Sequence, residues 1–386
     1  MSKYVLINGC IYTEREKIDK GYVIIKNGKI AGLGNGNYEG ELETYDMKGR
    51  HILPGFIDMH IHGGYGEDAM DGSFDGLKHL SESLLSEGTT SYVPTTMTQS
   101  EQNIKAALKN IADYQSQQDR YQAAEVVGVH LEGPFISEHK VGAQNPKYVQ
   151  RPTVEKLQQF QESANNQIKV ITFAPEVKGA LALLQSFKDK IRFSIGHSVA
   201  TFEETNKAAQ NGARHVTHLY NAATPFEHRK PGVFGAAWTN DDLHTEIIVD
   251  GVHSHPAAVK IAYKQKGNSR FFLITDAMRA KGMPEGEYDL GGQNVIVKGT
   301  EARLESGALA GSILKMNDGL NNLINYTGDS LENLWRVTSL NQAKALKIDD
   351  RKGSLKVGND ADIVVLDNDI NVQLTIKPGK MHHFSK

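Results

Sequence analysis

The chain is nearly without cysteine: Cys10 is the only one in 386 residues. A single thiol excludes an internal disulfide framework and fits a reducing compartment. No apolar run approaches the roughly 20 residues that span a bilayer. The opening stretch, Met1 to Gly9, lacks an apolar segment of signal-peptide length. The expectation is a soluble, cytoplasmic protein with no membrane partner. A dominant charge sign is also missing. Lys and Arg number 43 against 46 Asp and Glu, a net charge of -3, so no global field draws the chain to nucleic acid. Internal repeats and low-complexity tracts are absent. What remains is an ordinary globular balance, 39% hydrophobic and 23% charged. The length suits a large barrel with a small companion.

The first fifty residues read as short strands broken by turns. Tyr4 to Ile7 and Tyr22 to Ile25 are strand-like, and Asn27-Gly28 is a hairpin turn. Gly32-Leu33-Gly34-Asn35-Gly36 has neither the full glycine spacing nor the following helix of a dinucleotide loop, so it reads as a turn. From Phe56 the rhythm becomes strand, loop, helix. Strands are predicted at 56–62, 91–96, 126–132, 169–176, 193–197, 215–220, 245–249 and 271–276. Between them, Leu77, Leu80, Leu84 and Leu85 form a helical stripe that stops near Gly88. Thr201-Phe202-Glu203-Glu204 is a capping-box pattern, and Gly212 closes the helix it opens. Eight strands alternating with helices predict an α/β fold, a (β/α)8 TIM-type barrel. Residues 282–311 are irregular and read as a hairpin or lid above the barrel mouth. Helices are expected at 316–326 and 331–346, and strands return in the tail. The expected organisation is a small discontinuous β-sandwich domain (1–53 and 351–386) with the barrel (54–350) inserted into it.

Active sites of such barrels lie at the C-terminal ends of the strands. Strand one ends in His60-Ile61-His62. Positions i and i+2 of a strand point the same way, so the two imidazoles project side by side and can grip one metal ion. Alone, the pair suits ordinary hydrogen-bonded histidines equally well. The other strands end in His130-Leu131-Glu132, Gly196-His197, Thr217-His218, Asp250-Gly251-Val252-His253 and Asp276. Six such endings on one face are hard to assign to chance. Glu132, His197 and His218 would hold a catalytic metal with an open position for water. His60 and His62 would hold a second ion, with Glu132 bridging. Lys169 begins strand four, the wrong end for a bridging lysine. Asp276 is then the free carboxylate, suited to general base and acid work.

The motifs Pro54-Gly55-Phe56-Ile57-Asp58-Met59-His60-Ile61-His62-Gly63, His130-Leu131-Glu132-Gly133-Pro134-Phe135, Gly196-His197-Ser198 and His218-Leu219-Tyr220-Asn221-Ala222 carry a resemblance, as do Asp250-Gly251-Val252-His253, Thr275-Asp276-Ala277 and Leu309-Ala310-Gly311-Ser312. The chain resembles the amidohydrolase superfamily and, within it, the N-acetylglucosamine-6-phosphate deacetylase family. The resemblance runs the length of the chain, through the closing segment Gly353 to Asp362. It implies hydrolysis of a phosphorylated N-acetyl amino sugar to amine and acetate. It implies one or two divalent transition-metal ions (Zn, Fe, Mn or Co) on Glu132, His197 and His218, with His60 and His62 for the second, and Asp276 as acid and base. It further implies substrate contacts from Ala143, Gln144, Asn221, Ala222, Asp250, His253, Leu309, Ala310 and Gly311, and phosphate pairing by Arg229. Some members lack both strand-one histidines and use one metal, and some have histidine at the position of Gln144. Members are commonly homodimers in which a neighbour completes the phosphate site. A deacetylase for the galactosamine epimer, another amidohydrolase such as a cyclic-amide hydrolase, and a non-catalytic relative are the alternatives. The last should have lost ligands or base, and all are present.

Overall fold

The computed structural model of the chain describes residues 3–384. Eight parallel strands form the central barrel: β1 Phe56–Ile61, β2 Thr89–Thr96, β3 Val129–Glu132, β4 Ile168–Phe173, β5 Arg192–Ile195, β6 His215–Val216, β7 His244–Ile248 and β8 Phe271–Ile274. They pair in chain order from β1 to β8. Alternation sorts the residues of β1. Ile57 and Met59 share a core cluster with Leu314, Ala343 and Leu346, which leaves Asp58 and His60 facing the other way.

The seam between β8 and β1 is closed partly by a side chain. Asp276 N donates to His60 O (2.8 Å) and His62 N to Ala277 O (2.9 Å). The fully buried Asp58 carboxylate accepts from Thr275 Oγ1 at 2.5 Å, from Thr275 N at 3.3 Å and from His60 N at 3.2 Å. Burial lifts the Asp58 carboxyl to about 6, against the pull of Lys281 and of these donors.

The structure bears out the predicted barrel and corrects its strand limits. The third strand is interrupted around Gly128 into Glu125–Val126 and Val129–Glu132. Strands five, six and eight end earlier than expected for one shared reason. Two residues past each of them stands a left-handed residue: His197 (φ 48°), His218 (φ 30°) and Asp276 (φ 48°). That conformation cannot continue a ladder. The capping box forms as read: Thr201 Oγ1 accepts from Glu204 N (3.1 Å) and the Glu204 carboxylate from Thr201 N (2.8 Å). The helix expected at 331–346 is broken into Leu331–Leu334, a 3-10 turn Trp335–Thr338 and Leu340–Leu346. The break lets Asn341 and Gln342 donate to the carbonyls of Phe271 and Leu273 in β8.

Both ends of the chain build one eight-stranded sheet. Lys3–Tyr12, Lys17–Lys26, Lys29–Asn35, Glu43–Asp46 and His51–Pro54 come from the beginning. Ile363–Leu366, Val372–Lys377 and Lys380–His383 come from the end, and Ile363–Leu366 runs antiparallel to His51–Pro54. The glycine-rich stretch 32–36 sits in strand Lys29–Asn35 and its exit, with no helix behind it. The expected hairpin is a three-stranded antiparallel sheet, Gly286–Leu290, Gln293–Lys298 and Glu301–Leu304. No helix among the described residues is long and apolar enough to cross a membrane.

Buried charge ties the two-ended sheet to the barrel. Lys377 donates to Thr90 O in β2 (2.9 Å) and pairs with Asp362 Oδ2 (2.9 Å). Asp362 also pairs with Lys352, which pairs in turn with Glu125 at 2.9 Å. Lys352 and Lys377 are fully or nearly fully buried. Removing one partner of such a network leaves buried charge unpaired, which costs about 3–5 kcal/mol. Asp362→Ala should therefore destabilise the protein by about that amount in a denaturant titration. A change near zero would show that water replaces the carboxylate.

Candidate metal centre

Six side chains converge at the C-terminal mouth of the barrel. Glu132 ends β3. One of its oxygens, Oε1, lies 3.1 Å from His197 Nε2 and 3.1 Å from His218 Nε2, and those two nitrogens are 3.1 Å apart. Its other oxygen, Oε2, lies 2.9 Å from His62 Nε2 and 3.4 Å from His60 Nε2. Asp276 Oδ1 stands 3.2 Å from His60 Nε2 and 3.1 Å from His62 Nε2. The atoms form two groups, and Glu132 belongs to both.

The geometry and the donor chemistry both fit cations. Ligands roughly 2.0–2.1 Å from one tetrahedral ion stand about 3.3 Å apart, close to the edges of the Glu132–His197–His218 triangle. The tautomers point the same way. His197 Nδ1 faces Lys140 O (3.0 Å), His62 Nδ1 faces Thr95 O (3.1 Å), and His60 Nδ1 faces the Glu246 carboxylate (3.1 Å). Each Nδ1 must carry the proton, so each Nε2 presents a lone pair to the cluster. Lone pairs and carboxylate oxygens repel unless a cation stands between them. His60 Nε2 is buried with no hydrogen-bond partner.

Without an ion, protons must balance the cluster. Burial alone would lower the His62 imidazole, but Asp276 and Glu132 outweigh it and hold it at about 9. His60 is raised well above its ordinary value against the same burial, by the same two carboxylates. Burial would raise Asp276 and Glu132, yet the surrounding imidazoles hold both well below the usual carboxylate range.

A cavity of about 530 Å³ opens onto the cluster. It brings together His62, Glu132, His197, His218 and Asp276 with Ala143, Gln144, Asn221, Ala222, His253, Leu309 and Gly311. Leu290 and Arg303 of the three-stranded sheet form part of its wall. Gln144 does more than line the wall: it accepts from Thr98 N (2.7 Å) and donates to Glu132 Oε2 (3.0 Å). Asp250 lies behind His253 and accepts its Nδ1–H at 2.7 Å, which turns Nε2 outward. Ala310 is fully buried and packs in the core under the sheet rather than at the cavity. Arg229 is exposed and lines a different cavity, with Thr201, Phe202 and Pro225. Lys169 is the second residue of β4, at the end remote from the cluster.

The sequence reading passed over Glu246 and Thr95, which hold His60 and His62 from behind. Glu246 had a signal: an acid inside a predicted strand, directly before the apolar run Ile247-Ile248-Val249. Thr95 acts through its backbone carbonyl, which no side-chain pattern reports.

Comparison with known proteins agrees with this geometry. The amidohydrolase family description matches residues 51–382. The N-acetylglucosamine-6-phosphate deacetylase of Bacillus subtilis is 45% identical over 394 residues, covering 100% of this chain and 99% of the relative. The N-acetylgalactosamine-6-phosphate deacetylase of Escherichia coli O157:H7 is 38% identical, covering 86% of this chain and 88% of the relative. The crystal structure of a mutant N-acetyl-D-glucosamine-6-phosphate deacetylase from Mycobacterium smegmatis, in complex with N-acetyl-D-glucosamine-6-phosphate, superposes with a TM-score of 0.94 at 28% identity, covering 99% of both chains. The chain belongs to the amidohydrolase family, in the same branch as these deacetylases.

Proposed function

We propose that this chain is a metal-dependent deacetylase that hydrolyses the acetamide of N-acetyl-D-glucosamine 6-phosphate, giving D-glucosamine 6-phosphate and acetate. The observation that carries the reading is the shared carboxylate of Glu132 between two clusters of inward lone pairs. The glucosamine-type relatives of Bacillus subtilis and Lysinibacillus sphaericus, at 45% and 44% identity, stand above the galactosamine-type relative at 38%, which supports the gluco epimer. Glu132, His197 and His218 would hold the principal divalent ion, and His60, His62, Glu132 and Asp276 a second.

An amide has a poor leaving group, so the chain must move a proton twice. When bound, a divalent cation supplies Lewis acidity, polarising the carbonyl and acidifying water. Asp276 spends Oδ1 on the two histidines, and its side chain is 11% exposed against 0–5% for the other members of the cluster. It takes the proton of the attacking water. Water oxygen bonds to the acetyl carbon, the C–N bond breaks, and Asp276 returns the proton to the departing amine. The outward Nε2 of His253 and the groups of Asn221 and Ala222 orient the sugar.

Arg229 lies away from this cavity in its own chain. We infer that it serves the cavity of a second copy in a homodimer. A planar guanidinium suits bidentate phosphate binding, and Pro225 and Pro231 stiffen its loop.

Five outcomes test the reading. His197→Ala or His218→Ala should lose the principal ion and nearly all activity, read as metal per chain. Ion uptake by the stripped wild type near pH 8 should release protons, because His62 keeps its proton up to about 9 until an ion displaces it. Release should fade as the pH rises through that value, and uptake without it would contradict the assigned ligands. Asp276→Asn should bind the phosphosugar and lose about 10²–10⁴-fold in turnover. Near-normal turnover would remove Asp276 from the mechanism. Arg229→Ala should lower kcat/KM for the phosphosugar by about one to two orders of magnitude, matching a charge-assisted bond of about 1.5–3 kcal/mol. Mixing Arg229→Ala with Asp276→Asn subunits should then restore activity. No recovery after confirmed subunit exchange would place both residues in one chain's site.

A further inference from the structure

Glu246 stands on β7, inside the barrel and beneath the cluster, and is fully buried. Its Oε2 lies 3.1 Å from His60 Nδ1. Its Oε1 has no hydrogen-bond partner and is 4.0 Å from His215 Nδ1, which is itself unpartnered. His130, whose Nε2 bonds to Thr172 Oγ1 at 2.7 Å, packs edge-on against the His60 ring. Among the described residues, no lysine or arginine forms an ion pair with Glu246, Glu132 or Asp276.

A buried carboxylate with one hydrogen bond and no cationic side chain is costly. Its position repays that cost only if His60 carries positive charge on its far nitrogen. Three carboxylates, Glu132, Asp276 and Glu246, surround the strand-one histidines. One divalent ion on Glu132, His197 and His218 leaves the Glu246 side of the cluster without a metal charge. A second ion on His60 supplies what is missing, and the Nδ1–H···carboxylate bond fixes the His60 ring and enriches Nε2 in electron density.

We propose that Glu246 is a positioning residue that acts through His60 to make the site formed by His60, His62, Glu132 and Asp276 a tight cation site. The inference rests on the two-ion reading above. It divides the centre into two halves with separate supports. His197 leans on a neutral backbone carbonyl of Lys140, whereas His60 leans on a full negative charge. Loss of that charge should therefore weaken one ion and spare the other.

The test is a Co(II) titration of metal-stripped protein, read by visible absorption and by metal per chain after dialysis against graded chelator. The wild type should take two equivalents. Glu246→Gln keeps the shape and the acceptor but removes the charge. It should bind the first equivalent as the wild type does and weaken the second by about 10–100-fold, with a shifted spectrum for that second ion alone. Glu246→Asp keeps the charge one methylene further back and should fall between the two. Binding of the first equivalent reports that each variant is folded. Both equivalents unchanged in Glu246→Gln would overturn the positioning role while leaving the two-ion reading intact. Only one equivalent in the wild type would overturn both. Loss of both ions in Glu246→Gln and Glu246→Asp alike would make the residue a structural support and overturn the proposal.

Discussion

The centre depends on one carboxylate having two oxygens. Glu132 turns Oε1 to His197 and His218 and Oε2 to His60 and His62. A histidine in its place would serve one half only. The Glu132 side chain is held where β3 ends, and Gln144 donates to Oε2 while accepting from Thr98 N. Its rotation is thereby restricted, and both clusters inherit that rigidity. The seam of the barrel matters for the same reason. Asp58 binds Thr275 and the backbone of His60, so the strand carrying His60 and leading to His62 and the strand leading to Asp276 keep their register.

Three of the residues at the mouth hold left-handed backbone: His197, His218 and Asp276. Such conformations cost of order 1–3 kcal/mol each for residues with side chains. Each stands just past the end of a strand, where leaving the ladder swings the side chain inward over the barrel axis. The rigid barrel below absorbs the cost. Stability at the bottom of the molecule, including the Lys352–Asp362–Lys377 network, supports strain at the top.

The barrel was legible because apolar strands and amphipathic helices alternate without interruption from Phe56 onward. The cluster at the mouth was legible because chemistry-bearing residues fall at strand ends, where a parallel barrel gathers them. Strand limits at 215–220 and 271–276 were not, because Leu219 and Tyr220 extend the strand-like pattern past Val216 and Thr275, a residue common in strands, follows Ile274 directly. Nothing in a histidine announces a positive φ as glycine would. Asp276 was read as a free carboxylate, yet its oxygen is shared with both strand-one histidines, a relation that depends on how β8 meets β1. The phosphate role of Arg229 came from the resemblance, and the structure sets Arg229 on a different cavity from the cluster. A motif shared along the chain does not report which cavity a loop lines.

The two-ended sheet has a consequence for how the protein is made. Strand His51–Pro54 meets Ile363–Leu366 only when the whole barrel between them has left the ribosome. Until then its outer edge offers unpaired backbone groups next to apolar Ile52 and Leu53. The strands from Lys3 to Asn35 pair with one another and need not wait. Synthesis therefore exposes one short sticky edge for most of the time the chain is growing. The late strands act as a clasp, and a chain shortened before Ile363 would carry that edge permanently, with self-association through it as the natural outcome.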